Sequence, residues 1–275
     1  ITTYNDIHNY IYITKGIIAM SKLPDNYKFI DLSDYGRPVA RWIANGFKNT
    51  RITPVDVTLM FIVAGLFAIV SILYHQYALA AFFLILKSIL DAADGELARV
   101  KNTPSYTGRY LDSVSDIILN ALFLLTICYI TDGSLVITFF AFCGIQLQGT
   151  LYNYYYVILR NKVDGDKTSR VFEEGVPTAL PGEKQINVDR LFWMYTLCYG
   201  VFDKAIQALD KNAEQAEHYP KWFMTALSCF GLGFQLLIIA VMLCLGWANY
   251  ILPFFIAFTA LIFVFILIRK AINRS

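Results

Sequence analysis

Four aspartates within a stretch of 26 residues have the spacing that could support chemistry. Asp91 and Asp94 are three residues apart, and Asp112 and Asp116 are four apart. On a helix, either spacing places both carboxylates on one face. Both pairs adjoin apolar runs long enough to cross a bilayer, where four carboxylates cannot all stay ionised without cations. An all-oxygen site favours a hard divalent cation, Mg²⁺ or Mn²⁺.

A pair of such cations could support the cleavage of a pyrophosphate bond. Two metal ions about 3.5–4 Å apart can stabilise the attacking and the leaving oxygen at once. Two helices that each present two carboxylates could hold this pair, and four negative charges formally balance two divalent cations. The attacking hydroxyl group also needs a base within reach of its proton.

The aspartates belong to a longer pattern of eight fixed residues over 26 positions. The pattern consists of Asp91, Asp94, Gly95, Ala98, Arg99, Gly108, Asp112 and Asp116. It predicts two helices joined by a turn around Thr103-Pro104-Ser105. The small side chains of Gly95 and Ala98 leave room for a flat nucleotide or a backbone to approach closely.

This pattern resembles the signature of the CDP-alcohol phosphotransferase family, which are integral membrane enzymes of phospholipid synthesis. The signature covers about a tenth of the chain, and all eight residues are present. The resemblance implies a six-span enzyme, usually a homodimer, with a two-metal site that faces the cytoplasm. It also implies transfer of a phosphoalcohol from a CDP-linked donor to an acceptor alcohol, with release of CMP.

The resemblance also assigns roles to residues. It implies that Asp91, Asp94 and Asp112 are metal ligands, and that Asp116 both binds metal and acts as the base for the acceptor hydroxyl. The nucleotide-binding residues that it implies are Gly95, Ala98, Arg99 and Gly108.

Two arginines beside the pattern could bind phosphate oxygens. Arg99 and Arg109 are predicted to lie at the same depth in the membrane, and guanidinium groups recognise phosphate well. The alternative role is to balance the charge of Glu96 or of the neighbouring aspartates.

Two further polar residues could face the acceptor. Lys87 precedes Asp91 by one helical turn, and a cation inside a membrane is costly and usually paired. An ion pair with Asp91 and recognition of the acceptor are the two interpretations of Lys87. Asn120 follows Asp116 by one turn and could likewise face the acceptor pocket.

One position departs from the family pattern. Family members often carry Pro-Asn ahead of the first span, and that asparagine helps to hold the nucleotide. Here Val55 follows Pro54, so the asparagine is missing. Either Asp56 compensates for it or the nucleotide contact is absent.

Composition places the chain among polytopic membrane proteins. It is 57% hydrophobic and 16% charged, with a mean hydropathy of +0.50, which is unusual for a soluble protein of this length. The five cysteines lie in apolar surroundings without metal-ligand spacing, so we predict that they are core residues. Nothing in the sequence indicates a nucleic-acid polymer as partner.

We predict an all-α bundle of six transmembrane helices, each near the ~20 residues that cross the hydrocarbon core. The predicted spans are Val55–Tyr74, Tyr77–Arg99, Tyr110–Ile130, Leu135–Leu159, Trp222–Leu245 and Tyr250–Ile268. They form a domain of residues 54–275, preceded by a cytoplasmic or interfacial segment, 1–53. That segment contains a basic amphipathic helix, in which Val39, Trp42, Ile43 and Phe47 share an apolar face. It could lie in the headgroup layer or pack on the bundle.

The distribution of Lys and Arg predicts the orientation. Three short links, after the first, third and fifth spans, contain none of the 23 cations, and all but Lys87 lie on the other side. This asymmetry predicts that both termini and the acidic turn are cytoplasmic, in a bacterial or archaeal cell membrane or an endomembrane.

A cytoplasmic insertion, residues 160–221, separates the fourth and fifth predicted spans. Its second half places apolar residues at steps of three and four, which predicts an amphipathic helix. The stripe consists of Leu191, Tyr195, Cys198, Phe202, Ile206 and Leu209. This helix could lie at the membrane surface, shaping an entrance to the site, or pack on the cytoplasmic end of the bundle.

Three functions are compatible with these features. A small alcohol could attack a CDP-lipid, for which we expect CDP-diacylglycerol. Alternatively, a lipid alcohol could attack a small CDP-headgroup donor, as in the choline- and ethanolamine-phosphotransferase type. A cation transporter would place its carboxylates near the bilayer midplane and break its helices there. Because the aspartates lie at a helix end beside arginines, the sequence favours the enzyme.

Overall fold

Helices form all the regular structure in residues 23–163 and 175–273, which are the residues that the computed structural model describes. Residues 1–22 of the predicted amino-terminal segment and 164–174 of the predicted insertion lie outside these ranges. The α-helices are α1 (Arg37–Phe47), α2 (Pro54–Leu73), α3 (Tyr77–Lys101), α4 (Tyr106–Ile130), α5 (Leu135–Lys162), α6 (Gln185–Leu209), α7 (Lys221–Leu227), α8 (Leu232–Cys244), α9 (Ala248–Thr259) and α10 (Leu261–Ile272).

Four or five segments of the described chain are long and apolar enough to cross a membrane. Four are α2, α4, α5 and the continuous stretch Ala248–Ile272, which contains α9 and α10. A fifth is Lys221–Cys244, provided that its two parts, bent by 55°, count as one span. The predicted second span, α3, is not among them, because Lys87, Asp91 and Asp94 interrupt its apolar run. The number six therefore stays a prediction.

The bend in the predicted fifth span occurs at Gly231. This residue has an extended backbone between a 3₁₀ turn, Ser228–Phe230, and the start of α8. Ser33, from the amino-terminal segment, packs so closely that a Cβ atom on Gly231 would lie 2.3 Å from its side chain. The Leu32 amide also donates a hydrogen bond to Ser228 Oγ at 2.8 Å. The amino-terminal segment thus fills the space that a straight helix would need.

The turn between α3 and α4 is short and well capped. Asn102 ends α3 in the left-handed conformation (φ 52°), which asparagine tolerates well. Ser105 then caps α4 by accepting a hydrogen bond from the Gly108 amide at 2.8 Å, as N-cap serines do. The turn therefore joins two long helices, α3 and α4, as the sequence predicts.

Two hydrophobic clusters hold the helices together. The larger joins α2, α3, α4, α5, α8 and α9 around fully buried side chains, which include Phe61, Leu84, Phe123, Leu243 and Phe255. The second joins α5, α6 and the region from α7 to α10 around Tyr155, Ile206, Phe223, Phe230 and Phe265. The first cluster packs both α3 and α4 against α2, and the second anchors the far end of α6.

The helix α1 packs on α3 through small side chains. Ala40 and Ala44 are buried against Ala93 and Leu97 of α3. The predicted apolar face is divided: Ile43 and Phe47 pack partly against this cluster, whereas Val39 and Trp42 are exposed. The packing alternative is therefore present, and a position in the headgroup layer stays a prediction.

The helix α6 packs along α4 and α5 with one face. Tyr195 contacts Tyr110 of α4, Phe202 contacts Phe142 of α5, and Ile206 is fully buried. The opposite face exposes further apolar side chains, among them Trp193, Leu197 and Val201. The helix α6 is thus bound to the bundle, and its contact with a membrane surface stays a prediction.

A buried ion pair joins the end of α6 to α10. Asp210, which is 1% exposed, accepts hydrogen bonds from Arg269 Nε at 2.9 Å and from Arg269 Nη2. The Tyr155 hydroxyl of α5 donates a further bond to Asp210 at 2.5 Å. Three elements that are distant in sequence meet at this carboxylate.

Candidate active site

Three of the four aspartates meet between α3 and α4. Asp91, Asp112 and Asp116 each offer one carboxylate oxygen, and these three oxygens lie within 4.8 Å of one another. Helical spacing explains the meeting: Asp112 and Asp116 share one face of α4, and that face is turned to Asp91 on α3. A group of this size and composition could hold a hard divalent cation.

A buried lysine neutralises part of this charge. Lys87, which is fully buried, donates a hydrogen bond from Nζ to Asp91 Oδ2 at 2.9 Å and another to Asp116 Oδ1. Its ammonium group also lies 4.6 Å from the centre of the Phe61 ring, which is a favourable cation–π distance. The ion pair with Asp91 that the sequence suggested is therefore present. The acceptor role of Lys87 stays a prediction.

One oxygen atom of the three-carboxylate group has no partner among the described residues. The Oδ1 atom of Asp112 is buried and accepts no hydrogen bond from the described residues. Burying a carboxylate oxygen without a donor or a cation is unfavourable. An all-carboxylate donor set with one unsatisfied buried oxygen fits the binding of Mg²⁺ or Mn²⁺.

Asp94 has a different environment from the other three aspartates. It is 8% exposed, and its Oδ2 accepts a 2.6 Å hydrogen bond from Thr58 Oγ1 of α2. It is not part of the three-carboxylate group. Thr58 lies three positions after Val55, and the sequence alone does not assign it a role. Its function here is to orient Asp94.

The predicted nucleotide-binding residues line the end of the same helix pair. A Cβ atom on Gly95 would meet only the tip of the Arg99 side chain, at 3.6 Å or more, so space remains over α3 at this point. Ala98 is partly exposed one turn later. A Cβ atom on Gly108 would lie 3.8 Å from Val55 Cγ2. The departure from the family pattern therefore lies beside the predicted nucleotide pocket.

Asp56 caps the start of α2. It forms a capping box with Thr53 at the start of α2: the Thr53 amide and hydroxyl donate to Asp56 Oδ2 at 2.7 and 2.8 Å. The Asp56 amide in turn donates to Thr53 Oγ1 at 3.2 Å. These contacts explain Asp56 as a helix cap, without reference to a nucleotide.

Arg99 forms the ion pair with Glu96, one of its two predicted alternatives, and phosphate binding stays a prediction. Its Nη2 atom lies 3.0 Å from Glu96 Oε1, which Arg37 of α1 also contacts at 2.5 Å. Its buried Nε atom donates to no described residue, so one donor is still available to a phosphate oxygen. The Arg109 guanidinium stacks over the Tyr110 ring at 5.0 Å.

Asn120 is buried one turn beyond Asp116 on α4, with 7% of its surface exposed. Its position is compatible with the predicted acceptor pocket, and that role stays a prediction.

Two residues of the insertion reach α4 and were not singled out from the sequence. Glu183 accepts hydrogen bonds at the first turn of α4, and Tyr199 donates one to the carbonyl oxygen of Ser113 at 3.0 Å. No short motif marks either residue, because each contact joins positions more than 70 residues apart.

The helix pair lies within a match to a known protein family. Residues 51–173 match the family model described as CDP-alcohol phosphatidyltransferase. The matched range covers less than half of the chain. The matched range contains α2 to α5 and therefore every aspartate, glycine and arginine of the predicted site.

Curated relatives of this domain carry related names. "CDP-diacylglycerol--serine O-phosphatidyltransferase" of Bacillus subtilis is 40% identical over 65 residues, which are 24% of this chain and 37% of the relative. The protein of the same name from Mycobacterium tuberculosis is 38% identical over 68 residues, 25% of this chain and 24% of the relative. "Bifunctional IPC transferase and DIPP synthase" of Archaeoglobus fulgidus is 25% identical over 157 residues, 53% of this chain and 31% of the relative. The chain thus spans between a quarter and about two fifths of these relatives.

Proposed function

We propose that this protein is a membrane enzyme that transfers a phosphoalcohol group from a CDP-linked donor to an acceptor alcohol and releases CMP. The observation that carries the proposal is the meeting of Asp91, Asp112 and Asp116 within the segment that matches the phosphatidyltransferase family. Carboxylates from two helices at a helix end suit phosphoryl transfer, in which positioning and charge neutralisation provide most of the catalysis.

The proposed donor is CDP-diacylglycerol, and the proposed acceptor is a small polar alcohol. Two of the relatives described above have CDP-diacylglycerol and serine in their names, which supports a CDP-lipid over a small CDP-headgroup donor. The position of the aspartates also suits this pairing, because a lipid-linked donor reaches the helix ends from within the bilayer.

The proposed cofactor is a pair of divalent cations, Mg²⁺ or Mn²⁺. Asp91, Asp94, Asp112 and Asp116 would hold them, since the unsatisfied Oδ1 atom of Asp112 and the close carboxylates fit such ions. When bound, the cations neutralise the charge on the phosphate oxygens.

The other steps belong to side chains of the protein. Asp116 would accept the proton of the acceptor hydroxyl, and its hydrogen bond from Lys87 fixes the orientation of its carboxylate. The unpaired Nε atom of Arg99 would donate to a phosphate oxygen of the donor. The space over Gly95 would admit the cytidine.

We further propose that α3 crosses the membrane, which gives six spans, and that the acidic turn and both termini face the cytoplasm. The apolar first half of α3 and the one-sided distribution of Lys and Arg support this arrangement. A homodimer is proposed from the family resemblance alone.

Release of CMP by the purified protein tests the proposed function. We expect release with Mg²⁺, CDP-diacylglycerol and a small alcohol such as serine, and none with EDTA. CDP-choline and CDP-ethanolamine with diacylglycerol test the other donor class. Uptake of cations into proteoliposomes without CMP formation would contradict the proposal.

The Asp116→Asn variant tests the base. We expect its CMP release to fall by about 100-fold or more, because general-base catalysis typically contributes this much. Asp132→Asn is the matched control, since Asp132 is exposed at the opposite end of α4. Full turnover by Asp116→Asn would show that another group removes the proton.

A further inference from the structure

The predicted insertion places a carboxylate on the first turn of α4. Glu183 Oε1 accepts hydrogen bonds from Ser105 Oγ at 2.8 Å and from the Thr107 amide at 2.7 Å. Its Oε2 atom accepts from the Tyr106 amide at 3.2 Å and from the Leu180 amide at 3.1 Å. Four donors thus converge on one side chain, and three of them belong to the start of α4.

This contact completes the cap of the helix that carries Asp112 and Asp116. The first amides of an α-helix have no partner within the helix, and negative charge is favourable at this end. Ser105 satisfies the amide of Gly108, and Glu183 satisfies the two preceding amides. Burial alone raises the pKa of Glu183, but its hydrogen bonds with Thr107 and Ser105 lower the pKa below the ordinary value.

A second contact from the same insertion lies about two turns further along α4. The Tyr199 hydroxyl of α6 donates to the carbonyl oxygen of Ser113, the residue that follows Asp112. Between the two contacts, Tyr110 packs against Tyr195 and Phe192 of α6, with ring centres 5.3 and 5.7 Å apart. The insertion therefore holds α4 along the whole segment that leads to its aspartates.

We propose that Glu183 is a positioning residue for the carboxylate group, acting through the first turn of α4. This inference rests on the proposed function. Asp91 lies on α3 and Asp112 lies on α4, so their separation depends on where α4 begins relative to α3. The turn between these helices, residues 102–105, is short and mostly exposed. Glu183 contacts this turn from another part of the chain, through the hydrogen bond from Ser105. A site of this kind requires its ligands to be held to within a fraction of an ångström.

Two variants of Glu183 and one control test this role. Glu183→Ala removes all four hydrogen bonds. Glu183→Gln keeps the size of the side chain and one acceptor oxygen, but places an amide group against the remaining donors. Glu217→Ala is the control, because Glu217 is an exposed carboxylate of the same insertion. All variants are made in the full chain.

The first measurement is hydrogen exchange of the amides at residues 106–108. We expect exchange to be faster in both Glu183 variants and unchanged in Glu217→Ala. The second is the affinity of the detergent-purified protein for Mn²⁺, measured by electron paramagnetic resonance with Asp116→Asn as reference for the site. We expect the affinity to fall about fivefold or more in Glu183→Ala, as is typical of coupling between two sites, and to be unchanged in Glu217→Ala.

The outcomes separate this inference from the proposed function. If the wild-type protein binds Mn²⁺ and releases no CMP, the proposed function fails and the two measurements still decide the role of Glu183. Faster amide exchange with an unchanged affinity for Mn²⁺ would show that Glu183 serves only the stability of the turn, which overturns the inference. Unchanged exchange would overturn it as well. If Glu183→Ala does not fold, the same comparisons in Glu183→Gln decide.

Discussion

Val55 is the residue at which this chain departs from the pattern of the family that it resembles, and it has a defined location in the structure. Its side chain lies next to Gly108, within the predicted nucleotide pocket. Asp56, the residue that could have compensated, caps α2 through Thr53 instead. The pocket therefore presents an apolar side chain where the family often has an amide.

Val55→Asn should strengthen binding of the donor. The new amide could form a hydrogen bond with the nucleotide, which typically contributes about 1 kcal/mol and corresponds to a several-fold lower KM. We expect kcat to change little, because the contact would be present both before and during the reaction. Steady-state CMP release at varied CDP-diacylglycerol measures both constants. Val55→Ala is the control, and an equal KM in the two variants would contradict the assignment of this pocket.

The residues of the site differ in how far the sequence could predict them. Asp112 and Asp116 come together through helical spacing, because they share one face of α4, but their meeting with Asp91 depends on how α3 and α4 are placed in the folded chain. The bond between Asp94 and Thr58 depends on the register of α2 against α3, which no local pattern contains. Glu183 reaches Ser105 across 78 positions, so only the folded chain reveals it.

At the scale of single helices, the bend at Gly231 is the clearest difference from the sequence. Hydropathy predicted one continuous span, Trp222–Leu245, since apolar content does not distinguish a straight helix from a bent one. Ser33, a residue about 200 positions away, packs against Gly231 at the bend. No local pattern in the sequence contains this contact.

Gly231→Ala should destabilise the protein. The added methyl group would lie 2.3 Å from both Cβ and Oγ of Ser33, and crowding of this kind typically costs about 1–3 kcal/mol. We expect a lower melting temperature in detergent. The loss should shrink in a Ser33→Gly background, which removes both clashing atoms. Gly149→Ala is the control, because its Cβ would meet nothing closer than 3.9 Å, and an equal loss there would contradict the explanation.

The helix α6 shows what amphipathic spacing can and cannot predict. The steps of three and four correctly indicated a helix and included Tyr195, Phe202 and Ile206, which contact the bundle. They did not indicate that apolar side chains also cover the outer face, as Trp193 and Leu197 do. Apolar residues at this spacing predict one buried face of a helix, and they do not exclude a second apolar face.

At the scale of the whole molecule, the acidic site lies at the end of the bundle where the cations are concentrated. The short link at residues 131–134 lies at the opposite end of α4. The sequence predicted this arrangement from the Lys and Arg count alone. It could not establish the number of spans, because α3 is both a potential span and the carrier of Lys87, Asp91 and Asp94.

The orientation can be tested with single cysteines in a variant that lacks the five native ones. We expect a membrane-impermeant maleimide to label Asp132→Cys in intact cells. Glu217→Cys should react only after the cells are permeabilised, because the positively charged side of a membrane protein stays in the cytoplasm. Both positions are exposed, so poor access within the protein would not explain a difference. The reverse pattern of labelling would place the aspartates outside the cell.

The contact among Asp210, Arg269 and Tyr155 restricts how this protein can be shortened. A variant in which a plain linker replaces residues 175–215 would leave the guanidinium of α10 enclosed and without its anion. Ending the chain before Arg269 would strand the carboxylate in the same way. Breaking a buried pair from one side typically costs about 3–5 kcal/mol, so either truncation could abolish folding and be mistaken for a loss of catalysis. A deletion on either side therefore needs the remaining partner replaced by an uncharged residue, Arg269→Met in the first case and Asp210→Asn in the second.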